Sequence, residues 1–287
     1  MISPFLGVLF DGFAYGMLLF LLSVGLSVTL GTMNFVNLAH CSFAMLGGYV
    51  TVMVTQRFEW PFLAALPVAF LSAAVASVVL ERTLYRRLYR ASDLDQCLLT
   101  IGIVFISVAG AAYLFGTTQQ PIQTPPYLRG SVTLGGVNLG VYRLFLIGTA
   151  LAITLVLVAG LEHTRFGAQV RAAVDSQRMA RGLGIDVDRA FAITFALGSG
   201  LAGLGGALAI EIVGLDPAFA FTYLVYVLIV VSVGGLGSIG GSFAAATVLG
   251  VSDVAGKYYI PELGAFLIYL VMIGLLTWRP AGLFGRR

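Results

Sequence analysis

Charge is scarce in this chain of 287 residues. Asp, Glu, Lys and Arg together make up 10% of it, against roughly 25% in ordinary soluble domains. Lys257 is the single lysine, and the net charge is only +3, too weak a basic excess for a nucleic-acid-binding surface. The two cysteines, Cys41 and Cys97, lie in or beside apolar runs and imply no disulfide framework. The two histidines, His40 and His163, are far apart in sequence, so no Cys/His cluster with zinc spacing exists. There is no G-x-S-x-G nucleophile elbow. Gly250 to Lys257 superficially looks like a phosphate-binding loop. It is one residue too long, no strand precedes it, and Tyr258 stands where a Ser or Thr would hold magnesium. These absences exclude a nucleotide hydrolase and disfavour any enzyme. No catalytic residue, no metal site and no resident cofactor is expected.

What the chain has in excess is apolar surface. Hydrophobic residues make up 59% of it, and the mean hydropathy is +0.98. A soluble fold of this length cannot hide so much, which makes the bilayer the main solvent. Apolar segments run over about 5–31, 33–55, 61–80, 97–116, 143–161, 190–213, 222–237, 240–256 and 263–278. The fold class expected is an all-α polytopic membrane protein with eight or nine transmembrane elements in one transmembrane domain, 1–287. The N-terminal Met1-Ile-Ser-Pro4 has no basic stretch, and the long run after it reads as a retained first helix. Glycines and polar residues interrupt the second segment and the 222–256 pair, so broken or re-entrant helices are expected there.

Arg82, Arg86, Arg87 and Arg90 lie in the loop 81–96. Arg165, Arg171, Arg178, Arg181 and Arg189 lie in the loop 162–189, and Arg279, Arg286 and Arg287 end the chain. Only Arg57, Arg129, Arg143 and Lys257 lie elsewhere. The bias predicts that both loops and the C-terminus are cytoplasmic. Nine crossings then put the N-terminus outside, and eight put it inside. The longest external segment, 117–142, carries Pro121, Pro125 and Pro126 and then alternating residues around Gly135-Gly136, which read as a β-hairpin. It fits either a docking surface or an ordinary connector. Ser42-Phe43-Ala44 is repeated as Ser242-Phe243-Ala244, each near a Gly-Gly pair. An inverted repeat of the transporter kind is one reading of that echo, and chance is the other.

Three stretches are candidates for function. Asn34, Asn37 and Cys41 share a helical face that His40 extends, with Ser42 beside it. This polar set fits a translocation pathway or gate, or else helix glue, with Asn34 as an N-cap. Gly198 to Gly206 reads as close helix packing, whereas Gly234, Gly235, Gly237, Gly240 and Gly241 are too dense for a straight helix and read as a turn or hinge. The third is the loop around Val170–Leu183. It reads as one short amphipathic helix, with Val174, Met179 and Leu183 as an apolar strip, Arg171, Asp175, Arg178 and Arg181 more exposed, and Gly184 as its C-cap. Such a helix fits a groove on a soluble partner or an anionic lipid surface. The carboxylates available near the membrane are Asp11, Glu211 and Asp253. They are the residues an ATP-independent channel or secondary transporter, the alternative reading, would use for ion coupling.

The run Gly31-Thr-Met-Asn34-Phe-Val-Asn37-Leu-Ala-His40-Cys-Ser-Phe-Ala-Met45-Leu-Gly47-Gly48-Tyr49, the loop Arg171 to Asp186 and Val233 to Gly241 together resemble the branched-chain amino acid ABC permease family, close to its LivH-type members. Arg279 to Gly285 fits the family's ending. Cys41 and Gly48 depart from it, since Gly and Ala are usual there. The resemblance implies a subunit of a binding-protein-dependent importer in the bacterial inner membrane. It also implies a second related permease, two cytoplasmic ATPases carrying ATP and Mg, and a periplasmic solute-binding protein as partners. Arg171 to Gly184 would be the coupling helix. The family's solutes include branched-chain amino acids, other apolar or amide compounds, and urea.

Overall fold

The computed structural model describes residues 2–33, 35–89, 91–120, 122, 124–135 and 137–285. It is an all-α polytopic membrane protein. The helices are α1 (Ile2–Met33), α2 (His40–Gln56), α3 (Phe62–Thr83), α4 (Asp93–Phe115), α5 (Val141–His163), α6 (Arg165–Asp175), α7 (Gln177–Gly182), α8 (Val187–Val213), α9 (Phe219–Gly234), α10 (Ile239–Tyr259) and α11 (Gly264–Trp278). Among the described residues, α1, α3, α4, α5, α8 and α10 are long and apolar enough to cross a bilayer. Helices α9 and α11 are shorter and apolar. With α2, these nine helices match the nine apolar segments of the sequence.

Most boundaries shift by a few residues, and two of the shifts bear on the site. The second helix begins at His40, not at residue 33, because residues 35–39 form an irregular turn. The eighth break falls at residues 235–238, between α9 and α10. As the alternation predicts, Ser131–Leu134 (β1) pairs antiparallel with Val137–Gly140 (β2). Gly135 takes a left-handed φ of 58° in the connecting turn, as such tight hairpins require.

Two helices form the centre. In the most apolar windows of α1 and α8, 83% and 78% of residues are buried, against 17% for α4 and 11% for α5. Helix α1 packs on α10 and α8, while α8 packs on α1, α2 and α3. In lipid no hydrophobic force pulls helices together, so close backbone approach has to supply the contact energy. The α2–α8 crossing shows this: a Cβ on Gly47 would run into the backbone of Gly203, and one on Gly203 would meet the Cβ of Ala73 and the carbonyl of Ala69. The repeated Ser-Phe-Ala triplets fall in the first turns of α2 and α10, which cross α8 and α1 respectively.

The chain ends sort into two faces. One carries the α6–α7 pair, the end of α1, the α3–α4 connection, the α9–α10 turn and the C-terminal segment. The other carries the hairpin, the end of α8 and the start of α5. Arginines crowd the first face, which is called the arginine-rich face below. The second is the hairpin face.

Candidate functional site

On the arginine-rich face the stretch expected to be one helix is two. Ser176 adopts an extended conformation, φ −159° and ψ 102°, which ends α6. Its hydroxyl then accepts the Met179 N–H at 3.3 Å and starts α7. A serine that can bond the backbone N–H three residues on competes with the helix ladder, and here it wins. Upstream, Thr164 caps α6 by accepting the Gly167 N–H at 3.1 Å. Downstream, Gly184 takes φ +83°. Its N–H donates to Arg181 O and the Ile185 N–H donates to Ala180 O, both at 3.0 Å. This is the Schellman pattern, which favours glycine at that position. Asp186 then accepts the Arg189 N–H at 3.0 Å and caps α8.

The pair is seated by a small apolar patch. Ala173, Ala180, Val187 and Phe191 are buried together, with Met33 of α1 and Ile185 packed on them, and Val170 is also buried. The other apolar residues face outward: Val174 is 43% exposed, Met179 72% and Leu183 80%. Arg171, Asp175, Arg178 and Arg181 are exposed as well. Asp188, at the start of α8, receives Arg86 from the α3–α4 connection at 2.6 Å and Arg181 at 2.8 Å. One carboxylate thus ties both arginine-bearing loops to the foot of α8.

The polar set before α2 is not a helical face. Asn34 lies outside the described residues. Asn37 is buried in the turn, its Oδ1 accepting the Ala39 N–H at 3.1 Å and its carbonyl accepting the His40 N–H at 3.4 Å. This is the local turn chemistry of asparagine. The i, i+3 spacing to His40 therefore does not place the two on one helix. His40 is buried and its Nε2 donates to Leu22 O at 3.0 Å, tying α2 to α1. The Ser42 hydroxyl, Asn37 Nδ2 and His40 Nδ1 are buried and meet no partner among the described residues. Gln96, which carried no signal in the sequence, staples this turn. It accepts the Val36 N–H at 3.0 Å and donates to Leu88 O at 3.2 Å.

The glycines of the α9–α10 connection divide by role. Gly235 and Gly237 take φ +94° and +78° and form the turn. Gly234 closes α9, and Gly240 and Gly241 lie inside α10, where Ser238 accepts the Gly241 N–H at 3.0 Å as N-cap. The C-terminal segment seals this turn: Leu283 N–H donates to Val233 O at 2.7 Å and Phe284 N–H to Gly234 O at 3.2 Å. Gly31 of α1 packs against Gly237 from another side.

The three membrane carboxylates all lie toward the hairpin face. Asp11 pairs with Arg143 at the start of α5. Glu211, in the last turn of α8, accepts the Thr124 hydroxyl. Asp253 is buried and pairs with Lys257 one turn along α10 at 2.6 Å. That helical pairing also disposes of the phosphate-loop reading of Gly250 to Lys257. Arg129, Arg143 and Glu211 line a cavity of about 330 Å³ with Leu128, Gly130, Gly140, Tyr142 and Ile212. Among the described residues, no group of three or more His, Cys, Asp or Glu is placed to hold a metal ion.

Comparison with known proteins matches this sequence to transport permeases. The family described as branched-chain amino acid transport system, permease component, matches residues 8–276. A probable branched-chain amino acid transport permease protein LivH of Methanocaldococcus jannaschii is 28% identical, covering 94% of this chain and 90% of that protein. The high-affinity branched-chain amino acid transport system permease protein BraD of Pseudomonas aeruginosa is 25% identical, covering 99% of this chain and 97% of BraD. The permease protein LivM of Escherichia coli is 26% identical, covering 93% of this chain and 68% of LivM. No solved structure matches. A match over nearly the whole chain, on a bundle of apolar helices, settles the class: the chain belongs to the branched-chain amino acid transport permease family.

Proposed function

We propose that this permease subunit forms half of the translocation pathway of an ATP-driven, binding-protein-dependent importer for branched-chain or other apolar amino acids or related amides. The observation that carries the reading is the α6–α7 pair. It is capped at each end, seated on α1 and α8 by a buried patch, and presents Val174, Met179 and Leu183 to the outside. Apolar side chains ringed by arginine are what a groove on a soluble partner would take up. The arginine bias supports a cytoplasmic position for this face and for the C-terminus. The membrane is the inner, or plasma, membrane, and the cavity then opens outside.

In this reading two cytoplasmic ATPases, which hold the ATP and Mg, dock on α6–α7. A second permease chain completes the pathway, a pairing suggested by the similarity to both LivH and LivM. A solute-binding protein delivers the solute at the hairpin face. Pressure on α6–α7 reaches α8 directly through Val187, Phe191 and Asp188 and tilts it as a unit.

The test is to purify the tagged chain from its native membranes in mild detergent and identify its companions. Two ATPases and a second permease should co-purify, and removing Val170 to Leu183 should lose the ATPases. A chain that arrives alone, or with copies of itself only, contradicts the reading and moves an ATP-independent channel or secondary transporter ahead.

A further inference from the structure

The cavity on the hairpin face holds opposite charges that do not neutralise one another. Arg129 comes from the segment before β1, Arg143 from the first turn of α5 and Glu211 from the last turn of α8. All three line the same space. Among the described residues, no ion pair within 4.0 Å joins Glu211 to either arginine. Asp11 holds Arg143, whereas Thr124 holds both Arg129 and Glu211. Asp11 takes one Nη of Arg143. The Thr124 carbonyl takes Nε of Arg129, and the Thr124 hydroxyl donates to Oε2 of Glu211. The Tyr142 hydroxyl donates to Leu208 O at 2.8 Å, which locks the first turn of α5 to α8.

These anchors leave Oε1 of Glu211, both Nη groups of Arg129 and the second Nη of Arg143 without a partner among the described residues. The lining itself carries two arginines and one carboxylate; Asp11, outside the lining, offsets Arg143, which leaves Arg129 and Glu211 as the two poles. A cavity with both poles suits a ligand that is itself neutral overall and carries both signs.

We infer that this cavity is a binding subsite for a zwitterionic amino acid, with the α-carboxylate on Arg129 and Arg143 and the α-ammonium on Glu211. A planar guanidinium meets a carboxylate in two parallel hydrogen bonds, and a carboxylate already fixed by Thr124 accepts from an ammonium without reorganising. Leu128 and Ile212 supply apolar wall for a side chain. The subsite deepens the proposed function: it would take the solute on the side where it is delivered, before the pathway between the two permeases.

Leucine binding to the purified protein, measured by saturation-transfer NMR, tests this directly. Two analogues serve as controls: 4-methylpentanoate lacks the ammonium and 3-methylbutylamine lacks the carboxylate. Leucine should bind about tenfold or more tightly than either, since losing a hydrogen bond to a charged group costs at least that. Glu211→Gln should bring leucine down to the level of 4-methylpentanoate, and Arg129→Gln to that of 3-methylbutylamine. Arg129→Lys should retain part of the affinity, which separates loss of the contact from loss of the fold.

Equal binding of the three compounds, or unchanged leucine binding in both variants, overturns the proposal. So does a loss of affinity for the solute-binding protein alone with leucine binding intact, which would make these residues a docking contact. Failure of the importer reading shows separately, as missing ATPases in the co-purification, and leaves the binding measurement valid.

Discussion

The two faces use charge in opposite ways. On the arginine-rich face the charged side chains are exposed, and the shared carboxylate Asp188 binds one loop to another through Arg86 and Arg181. Apolar residues there point away from the chain. On the hairpin face the charged residues turn toward a cavity, and Asp11 and Thr124 hold them in place. The first face presents apolar side chains outward; the second gathers charged groups around an open cleft. Helix α8 joins them. Its 27 residues span about 40 Å at 1.5 Å per residue. Asp186 and Asp188 stand at its foot and Glu211 at its head. In the proposed coupling, a push on α6–α7 moves the wall of the cavity through this helix.

The largest expected effect comes from damaging this rod. Gly203→Leu places a side chain where α3 leaves no room. It should lower the amount of folded protein recovered from membranes several-fold and abolish uptake, erasing both faces at once. Full recovery with normal uptake would mean that the glycine crossing is not what joins them.

Met179→Asp and Arg178→Glu act on one face only. Each should leave protein level and leucine binding unchanged while cutting ATP-driven uptake about tenfold or more, in line with charge placed in an apolar docking site. Normal uptake in both variants counts against docking at α6–α7.

Gly184→Val forces a β-branched residue into φ +83° and should cost on the order of 1–3 kcal/mol locally. Reduced protection of the α7 amides in hydrogen exchange, with α9 to α11 unchanged, is the expected pattern. The smallest effect belongs to Asp188→Asn. Its partners are about half exposed, and such pairs contribute roughly 0–1 kcal/mol. The melting temperature should barely move, while uptake per ATP hydrolysed falls a few-fold. Unchanged coupling would show that the two arginine-bearing loops act independently.

The bundle was legible in the sequence because a membrane span must be long and apolar, and α1, α3, α4, α5 and α8 leave little ambiguity. The helix pair was misread as one helix because Val170 to Leu183 is continuous in helix propensity. The available signal was Ser176 itself, a cap residue in mid-run. Asn37 misled for the converse reason: its spacing to Cys41 mimics a helix face that begins only at His40. The cavity could not be read from spacing at all. Arg143 meets Asp11 across 132 residues and Thr124 meets Glu211 across 87, and only the fold brings such partners together. Asp11 and Glu211 stood out as carboxylates in apolar runs, but Arg129 and Arg143 gave no sign beyond lying outside the arginine-bearing loops.

The most direct test of the central claim is cross-linking from one position on α7. Met179→Cys, in the assembled transporter with Cys41 and Cys97 replaced, should cross-link to the ATPase through a short bifunctional reagent, with a yield that changes when ATP is added. A cross-link to lipid alone, or none while the ATPases co-purify, would contradict the claim that α6–α7 is where the ATPases dock.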